Sequence, residues 1–265
     1  MKKLLLSAFV ICLAGTSIAQ ESPLWMRHCA LSPDGTTIAF TYKGDIYTVP
    51  STGGRATQIT TNPAFDTEPV WSPDSKQIAF ASDRMGSLDV FVVSSEGGAP
   101  QRLTTHSGSE KPVAYKDNKH ILFTANIAPS AEDAGFPSGQ FQQVYEVAVT
   151  GGRPAMFSSM PMECISINKE GVMLYQDKKG YEDYWRKHQV SPIARDIWTY
   201  TPGKKPVYQK QTTFGGEDRE PVWSPDGKSF YYLSEEKGSF NIFQRTPGTT
   251  TSQQITFHTK HPVRF

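Results

Sequence analysis

A pattern of about 40 residues recurs along this chain, and it restricts the possible folds more than any other feature of the sequence. The clearest copy occupies residues 69–104, with the sequence PVWSPDSKQIAFASDRMGSLDVFVVSSEGGAPQRLT. The other copies occupy residues 29–60, 112–157, 165–212 and 221–256. A chain of this kind folds as a series of similar units that pack on one another.

Each copy contains four short apolar runs separated by residues that favour turns. The first run ends at Leu31, Trp71, Ala114, Ile167 or Trp223. An Asp-containing turn follows, most clearly at Asp34-Gly35, Asp74 and Asp226-Gly227, where a preceding Pro presets φ and Gly accepts positive φ. The third run carries a β-branched residue and then an aromatic one in every copy: Ile46-Tyr47, Val90-Phe91, Val144-Tyr145, Ile197-Trp198 and Ile242-Phe243. Runs of this length and composition predict β-strands.

A four-stranded sheet of this size cannot bury both faces alone, so the copies must stack, and such repeats are typical of propeller blades. The sequence predicts an all-β protein: a β-propeller of five four-stranded blades plus the first strand of a sixth, which is a six-bladed ring cut short. The sixth blade begins at 262, because Pro262-Val263 matches Pro69-Val70. The propeller domain spans residues 20–265, with blades at approximately 29–61, 69–105, 112–158, 165–213 and 221–257.

Two insertions lengthen the later copies. Consecutive turn acids are 40 and 43 residues apart at first, and then 53 and 56, while the strand landmarks persist. The insertion at 126–142 is rich in Ala, Gly, Ser and Pro, and the insertion at 178–194 is rich in aromatic and basic residues. We predict that these side chains contact a substrate or partner: Tyr181, Tyr184, Trp185, Arg186, His188 and Arg195.

The chemistry of the second insertion fits two roles. Aromatic faces and an arginine fork are suited to bind a peptide or its terminal carboxylate. Packing against a neighbouring domain or subunit fits the same composition. A similar choice applies to the polar residues beside the predicted central channel, which are either a channel mouth that meets a ligand or solvated loop charges. These residues are Asp66, Glu68, Asp218 and Glu220, with His28, Lys111 and His261 in comparable positions.

The formal charge of +1 indicates neither a nucleic acid nor an acidic membrane as partner. Residues 1–19 have the pattern of a signal peptide: Lys2-Lys3, an apolar run over 4–14, and small residues at Ser17 and Ala19. The run is too short to span a bilayer, so no membrane span is expected after its removal. We therefore predict an exported protein, located in a bacterial periplasm.

Motifs of catalysis are absent from the sequence. It has no G-x-S-x-G, H-E-x-x-H, C-x-x-C, Walker or G-x-G-x-x-G motif, and its six His residues show no metal-ligand spacing. We therefore assign no catalytic residue, no metal and no cofactor to this segment. Cys29 and Cys164 fall on the first and fourth blades, which face each other in a ring of six, so we expect both thiols to be unpaired.

The repeat pattern P-x-W-S-P-D-G-K-x-I-A-F…D-I-Y…G-G…L-T resembles the WD-like β-propeller repeats of Tricorn protease homologues, of TolB and of prolyl-oligopeptidase-type enzymes. The stretches YKGDIYTVP at 42–50 and GYEDYWRKH at 180–188 are most similar to the Tricorn type. The resemblance implies the first propeller of a large serine peptidase that degrades oligopeptides. Its catalytic domain would lie further along the polypeptide.

Two further functions compete with a propeller that gates substrates or serves as a scaffold in a peptidase. One is a TolB-like periplasmic protein-binding propeller without enzymatic activity. The other is the propeller of an α/β-hydrolase oligopeptidase, which requires a downstream G-x-S-x-G serine. The expected partners are peptides, downstream domains of the same polypeptide, or further copies of the chain.

Overall fold

The computed structural model describes residues 25–127, 141–180, 190–260 and 263. In this part of the chain, twenty strands pair into five separate four-stranded antiparallel sheets. The sheets follow one another around a common axis, so the protein is an all-β β-propeller with five described blades. The prediction of five four-stranded blades is confirmed, and the described residues contain no strand of a sixth blade.

Each blade is built from four strands that are consecutive in the chain. Blade one contains β1 (Arg27–Leu31), β2 (Thr37–Tyr42), β3 (Asp45–Pro50) and β4 (Thr57–Gln58). Blade two contains β5 (Asp66–Trp71), β6 (Gln77–Ser82), β7 (Asp89–Ser94) and β8 (Gln101–Arg102). Blade three contains β9 (Lys111–Asp117), β10 (His120–Ala125), β11 (Gln143–Ala148) and β12 (Ala155–Ser158). Blade four contains β13 (Met162–Ile167), β14 (Met173–Asp177), β15 (Ile197–Thr201) and β16 (Val207–Lys210). Blade five contains β17 (Asp218–Trp223), β18 (Phe230–Ser234), β19 (Asn241–Arg245) and β20 (Ser252–Gln254).

The first strand of each blade lies innermost. β1 contacts β5, β5 contacts β9, β9 contacts β13 and β13 contacts β17, whereas the fourth strands form the outer edges of the sheets. The second strand β6 is buried at five of its six positions, whereas the outer strand β16 is exposed at all four. The inner strands therefore surround the axis of the propeller.

Apolar clusters fill the four successive interfaces between neighbouring blades. Alternate residues of one strand serve the two sides of a blade, since side chains of a strand point to opposite faces in turn. On β6, Ile78 and Phe80 pack against blade one, whereas Ala79 packs against blade three. A blade thus buries its two faces only by contact with two neighbours, as the repeats predict.

The tryptophans that end two inner strands occupy matching places in separate sheets. The Trp71 indole Nε1 donates to the Ala30 carbonyl oxygen of the preceding blade at 3.0 Å. The Trp223 Nε1 donates to the Val172 carbonyl oxygen, also of the preceding blade, at 3.1 Å. The equivalence of these two residues, inferred from the repeats, is confirmed.

Blade three departs from the predicted alignment. Tyr115 pairs with Ile121 as Trp71 pairs with Ile78, so the expected end of this run at Ala114 is wrong by one residue. The reason is an additional register shift beside the hairpin, which allows β9 to continue to Asp117.

The Asp-containing turns close the hairpins between first and second strands. The Ser32 hydroxyl donates to Asp34 Oδ1 at 2.6 Å, and the same oxygen accepts a backbone N–H two residues further on at 2.9 Å. Gly35 has a φ of +74°, which glycine adopts without steric cost. The same bonds recur around Asp74 and Asp226. These hydrogen bonds, first those from the Ser hydroxyls, lower the pKa of all three carboxyl groups.

Neighbouring turns also bond to one another. The backbone N–H of Asp34 donates to Ser75 Oγ at 3.3 Å, and that of Asp74 donates to Asn118 Oδ1 at 3.1 Å. These bonds link blade one to blade two and blade two to blade three at the same end of the propeller.

A hydroxyl group beyond the fourth strand fastens that strand to the third. The Thr104 Oγ1 accepts the backbone N–H of Val90 at 2.9 Å. The same bond at 2.9–3.0 Å joins three other pairs: Thr60 with Ile46, Thr212 with Ile197 and Thr256 with Ile242. The β-branched residue of the third run and the later threonine therefore recur together because they are bonded to each other.

Replacing Thr104 with Val is expected to lower the free energy of unfolding by about 1–2 kcal/mol, because the buried Val90 N–H loses its acceptor. The neighbouring Thr105 is exposed, so Thr105→Val is a matched control that should change stability by less than about 0.5 kcal/mol. Urea unfolding followed by tryptophan fluorescence measures both. Equal effects of the two substitutions would contradict the role of this hydroxyl.

Candidate functional site

One end of the propeller carries the starts of the inner strands and the connections between second and third strands. These features share one end because neighbouring strands of a blade are antiparallel. Both insertions interrupt such connections, since residues 126–142 follow β10 and residues 178–194 follow β14. We call this end the insertion face. The Asp-containing turns occupy the opposite end.

A β-bulge interrupts every inner strand near its start. In four blades the bulge contains a non-glycine residue with a φ of +52° to +54°: His28, Glu68, Cys164 and Glu220. A left-handed backbone at such a residue costs about 1 kcal/mol, and a bulge redirects the side chain that it carries. Recurrence at one structural position in four blades identifies these residues as a set.

Side chains at these positions contact one another, or the nearby Lys111, across the blade boundaries. Lys111 Nζ of blade three lies 2.6 Å from Glu68 Oε1 of blade two. The Cys164 thiol of blade four donates to Glu220 Oε2 of blade five at 3.2 Å. His28 of blade one is close enough to Glu68, Lys111 and Glu220 for their charges to act on its imidazole. We call these five side chains the axial ring, because they lie on the strands that surround the axis.

The protonation of two ring members follows from their surroundings. Loss of water around the imidazole lowers the pKa of His28, which favours its neutral form, although the residue as a whole is exposed. Burial, and then the neighbouring Glu220 carboxylate, raises the pKa of the Cys164 thiol well above its ordinary value. The thiol therefore serves as a hydrogen-bond donor to Glu220 and not as a nucleophile.

Arg195 lies at the end of the second insertion and is occupied by two carboxylates. Its Nε donates to Glu163 Oε2 at 3.1 Å, and its Nη1 donates to Glu217 Oε1 at 2.7 Å. The side chain is only 9% exposed. Burial opposes the charge, but Glu163 and Glu217 together raise the pKa of the guanidinium above its usual value. Arg195 thus fixes the end of the insertion to the body of the propeller.

The start of the same insertion is also held by lysines. Lys178 Nζ lies 2.9 Å from Glu163 Oε1, so Glu163 contacts both ends of the insertion. Lys179 Nζ donates to the Ala194 carbonyl oxygen at 2.6 Å and pairs with Asp196. The two ends of the insertion are therefore fixed close together.

The buried side chain of Gln176 joins this group of ion pairs to the axial ring. Its Nε2 donates to Glu163 Oε2 at 3.0 Å, and its Oε1 accepts the backbone N–H of Glu220 at 2.8 Å. The base of the second insertion and the axial ring are consequently parts of one hydrogen-bonded unit.

Comparison with known proteins agrees with this architecture. Residues 23–265 match the family model described as the Tricorn protease N-terminal beta propeller domain. The chain belongs to this family. It is 39% identical over 213 residues to Tricorn protease homolog 1 of Streptomyces coelicolor, an alignment that covers 80% of this chain and 19% of that relative. The chain thus spans about a fifth of the length of this relative.

Two solved structures share the fold. The crystal structure of the tricorn protease superposes with a TM-score of 0.72 at 17% identity, covering 91% of this chain and 23% of that chain. The structure of putative TolB from Agrobacterium tumefaciens superposes with a TM-score of 0.68 at 14% identity, covering 88% and 81%. At these identities the likeness concerns the fold alone.

The predicted contact residues of this Tricorn-type propeller fall into two groups. Tyr181, Tyr184, Trp185, Arg186 and His188 lie outside the described residues, whereas Arg195 is described and takes part in the ion pairs above. Sequence reasoning placed Glu68, Glu220, His28 and Lys111 beside the channel, but it missed Cys164 and Gln176. The bulges are the signal that links Cys164 to Glu68 and Glu220, and they become visible only in the strand registers.

Cys29 and Cys164 are free thiols, which confirms the expectation that they are unpaired. Within residues 25–127, 141–180, 190–260 and 263, no group of His, Cys, Asp and Glu has the arrangement of a metal site. In the same residues, no helix is long and apolar enough to cross a membrane.

Paired carboxyl groups lie at two interfaces between blades of this Tricorn-type propeller. Glu110 is fully buried near Asp89, whose carboxylate lies 2.8 Å from Arg102. Burial, and then the charge of Asp89, raises the pKa of Glu110 to about 7. Asp218 and Asp196 form the equivalent pair between blades four and five. Burial raises the pKa of Asp218 to about 7, and the charge of Asp196 adds to the effect.

Glu110 is expected to make stability depend on pH. Because the pKa of Glu110 is raised from 4.5 to about 7, the folded state holds its proton more tightly than the unfolded state does. This difference stabilises the folded state fully below pH 4.5, and the stabilisation is lost as the pH rises through 7. Glu110→Gln should therefore raise the free energy of unfolding at pH 8 by about 1–3 kcal/mol and have a much smaller effect at pH 4.5. The exposed Glu96 provides the control Glu96→Gln. Urea unfolding at both pH values tests the prediction, and a gain that does not depend on pH would contradict it.

Arg195→Met is expected to lower the free energy of unfolding by about 2–4 kcal/mol, because Glu163 and Glu217 lose their shared cation. Arg195→Lys should reduce the free energy of unfolding by less, since lysine retains the positive charge but cannot donate to two carboxylates through a planar guanidinium. Arg153 is exposed, so Arg153→Met should change stability by less than about 0.5 kcal/mol. Thermal and urea unfolding measure all three. An Arg195→Met protein with unchanged stability would show that the ion pairs are not structural.

Proposed function

We propose that this chain is the non-catalytic N-terminal propeller of an exported, Tricorn-like serine peptidase that degrades oligopeptides. In this role the propeller gates substrates, or acts as an interaction scaffold, for a catalytic domain further along the polypeptide. Membership of the family and the 19% coverage of the Streptomyces relative support the proposal. The catalytic serine belongs to that later domain.

The observation that carries the gating role is the position of the axial ring. Its polar side chains lie on the inner strands at the insertion face, and Gln176 bonds the ring to the base of the second insertion. In this proposal the channel bordered by the inner strands admits an extended chain and excludes a folded domain. Aromatic and basic residues of the insertion are suited to contact such a chain at the same face.

We also propose that a sixth blade completes the ring. The backbone N–H of Val263 donates to the Phe240 carbonyl oxygen at 3.0 Å. Equivalent backbone hydrogen bonds are found at the start of the inner strand in three blades. There the N–H groups of Asp66, Glu110 and Asp218 donate to the carbonyl oxygens of Gly44, Leu88 and Arg195, respectively. The likeness of these bonds supports a match of Val263 with Asp66 instead of the expected match with Val70.

The two end faces of the stack of blades support the same proposal. Leu31 occupies the position of Trp71, yet it is 55% exposed, since none of the described blades packs on that side of blade one. Val222 occupies the position of Val70, which packs against blade three, yet Val222 is 56% exposed. A sixth blade between blade five and blade one would cover both residues. Apolar surface of this kind is characteristic of an interface.

The pattern of residues 1–19, which lie outside the described residues, supports export to a bacterial periplasm. A TolB-like protein-binding propeller is the second candidate function, favoured by the 81% coverage of the Agrobacterium structure. In that case the partner binds one face of the ring and no hydrolysis follows.

The complete protein separates the two candidates. If the peptidase proposal is correct, it cleaves unstructured oligopeptides of about 10–20 residues but not a folded protein, because the channel excludes compact domains. Peptide cleavage followed by mass spectrometry measures this activity. The matched control carries Ala in place of the downstream nucleophilic serine and should be inactive. Absence of cleavage, or cleavage that survives this substitution, would contradict the peptidase proposal.

A further inference from the structure

Exposed apolar side chains are concentrated at one end of the propeller. The connections at the insertion face carry several large ones: Phe65, Met85, Met160, Val190 and Phe257. In the described part of the chain, the connections at the opposite end carry none. Phe65, Met85 and Met160 lie in or directly before blades two and four, which have a described neighbour on each side, so a sixth blade would not cover them. Such a concentration is characteristic of an interface.

Phe65 and Met85 lie on two connections of blade two that are bonded to each other. The backbone N–H of Phe65 donates to Asp83 Oδ1 at 2.8 Å, and that of Asp83 donates to the Phe65 carbonyl oxygen at 3.4 Å. Asp83 begins the turn that carries Met85, and the N–H of Gly86 closes this turn by donating to the Asp83 carbonyl oxygen at 2.8 Å. We call Phe65 and Met85 the blade-two patch.

The support beneath the blade-two patch is fixed. Within the turn, Arg84 Nη2 donates to both carboxylate oxygens of the buried Asp66 at 3.0 Å, and its guanidinium lies 4.5 Å from the centre of the Phe91 ring. The ring of Phe65 lies against Gly44 of blade one, where a Cβ would be 3.5 Å from it. A patch on such a support is already ordered before a partner binds, which lowers the entropic cost of association.

The topology of the blades determines where the polypeptide leaves the propeller. Every described blade begins and ends at the insertion face, because four antiparallel strands return the chain to the end at which it entered. A sixth blade of the same form returns it to this face once more. The chain aligns with only 19% of the Streptomyces relative, so in the proposed function a large part of the polypeptide follows from there.

We propose that the insertion face is the docking surface of the domain that follows the propeller in the same polypeptide, and that the blade-two patch is an apolar anchor of this contact. The inference rests on the proposed function, because it requires a polypeptide that continues beyond the propeller. It gives the scaffold role a surface, an occupant and two named side chains.

The distribution of the apolar residues favours a folded domain as the occupant. Met160 precedes the inner strand of blade four, two blades away from the blade-two patch. An extended peptide follows a single line across the face, whereas a folded domain contacts separated positions at the same time. Covalent connection at this face also raises the effective concentration of the following domain, which favours it over a separate copy of the chain.

Oxidation of methionines by dilute hydrogen peroxide measures whether this face is covered in the complete protein. Met85 is 60% exposed and Met160 is 39% exposed, while Met156 on the outer strand β12 is 48% exposed and serves as the matched control. If the following domain covers the face, Met85 and Met160 should be oxidised at least about fivefold more slowly than Met156, because oxidation requires access to the sulfur. Peptide mapping by mass spectrometry follows the three rates.

Substitutions in the blade-two patch make the test specific. Phe65→Asp places a charge in the proposed contact, and its backbone bonds to Asp83 can still form, so it should raise the oxidation rate of the distant Met160 by about threefold or more. Met85→Glu should have the same effect on Met160. Met156→Asp is the control, and it should leave the oxidation of Met85 and Met160 unchanged.

Photo-cross-linking identifies the occupant. A photoreactive amino acid at position 85 of the purified complete protein should form cross-links to segments of the same chain that follow the propeller. The same group at position 156 is the control and should form none to those segments. Mass spectrometry of the cross-linked peptides locates the bonds.

Several results would overturn the inference. Equal oxidation of Met85, Met160 and Met156 would show that the face is uncovered, and peptide cleavage would still test the proposed function separately. Cross-links between two copies would make the face a self-association surface, and cross-links confined to the insertions of the propeller would show that its cover is internal. Unchanged oxidation of Met160 in both Phe65→Asp and Met85→Glu would remove the anchor. A complete protein with no domain after the propeller would overturn the proposed function as well.

Discussion

Each blade depends on its neighbours, because a small four-stranded sheet has two apolar faces and can bury neither alone. Ile78 and Phe80 face one way from β6 and Ala79 faces the other, so one strand contributes to two interfaces. The indoles of Trp71 and Trp223 add hydrogen bonds to the same contacts. Interfaces between blades, and not the sheets themselves, are therefore the units in which this protein buries its apolar surface. The exposed Leu31 and Val222 mark the two places where the series of interfaces ends.

The two ends of the propeller carry different kinds of polar structure. At one end, short turns satisfy their own carboxylates, as Asp34 shows. At the insertion face, charged side chains reach across blade boundaries, and the left-handed bulges at Glu68 and Glu220 bring carboxylates to the axis. The hydrogen-bonded sheets around those bulges compensate for the cost of their strained backbone. This contrast is the reason that we propose a functional role for the insertion face.

The repeats predicted the number of blades, their four-stranded form and the equivalence of the two tryptophans, because apolar alternation and turn residues are local signals. They did not predict the register in blade three, where an additional shift at Tyr115 replaces the expected end at Ala114. Nor did they point to the proposed match of Val263 with Asp66, because that match is inferred from a backbone hydrogen bond, which leaves no mark on residue type.

The candidate site was less accessible from sequence than the fold. Glu68 and Glu220 were located beside the channel because they immediately precede inner-strand residues that the repeats align. Cys164 was expected only to have an unpaired thiol, because its contact with Glu220 joins positions 56 residues apart. Arg195 was grouped with its aromatic neighbours in sequence, but its guanidinium is bonded to Glu163 and Glu217, which lie in other segments. Contacts between blades have no local sequence pattern.

The bonds between adjacent turns, from Asp34 to Ser75 and from Asp74 to Asn118, have an evolutionary consequence. Lengthening one of these turns would displace two blades at once, so natural selection has little room to alter chain length at that end. At the opposite end the backbone bond to the next blade comes from a residue just before the third strand, as at Gly44 and Arg195, and the long insertions of this chain lie ahead of that position. Related propellers should therefore diversify their specificity through length variation on one side, while the other side is inherited almost unchanged.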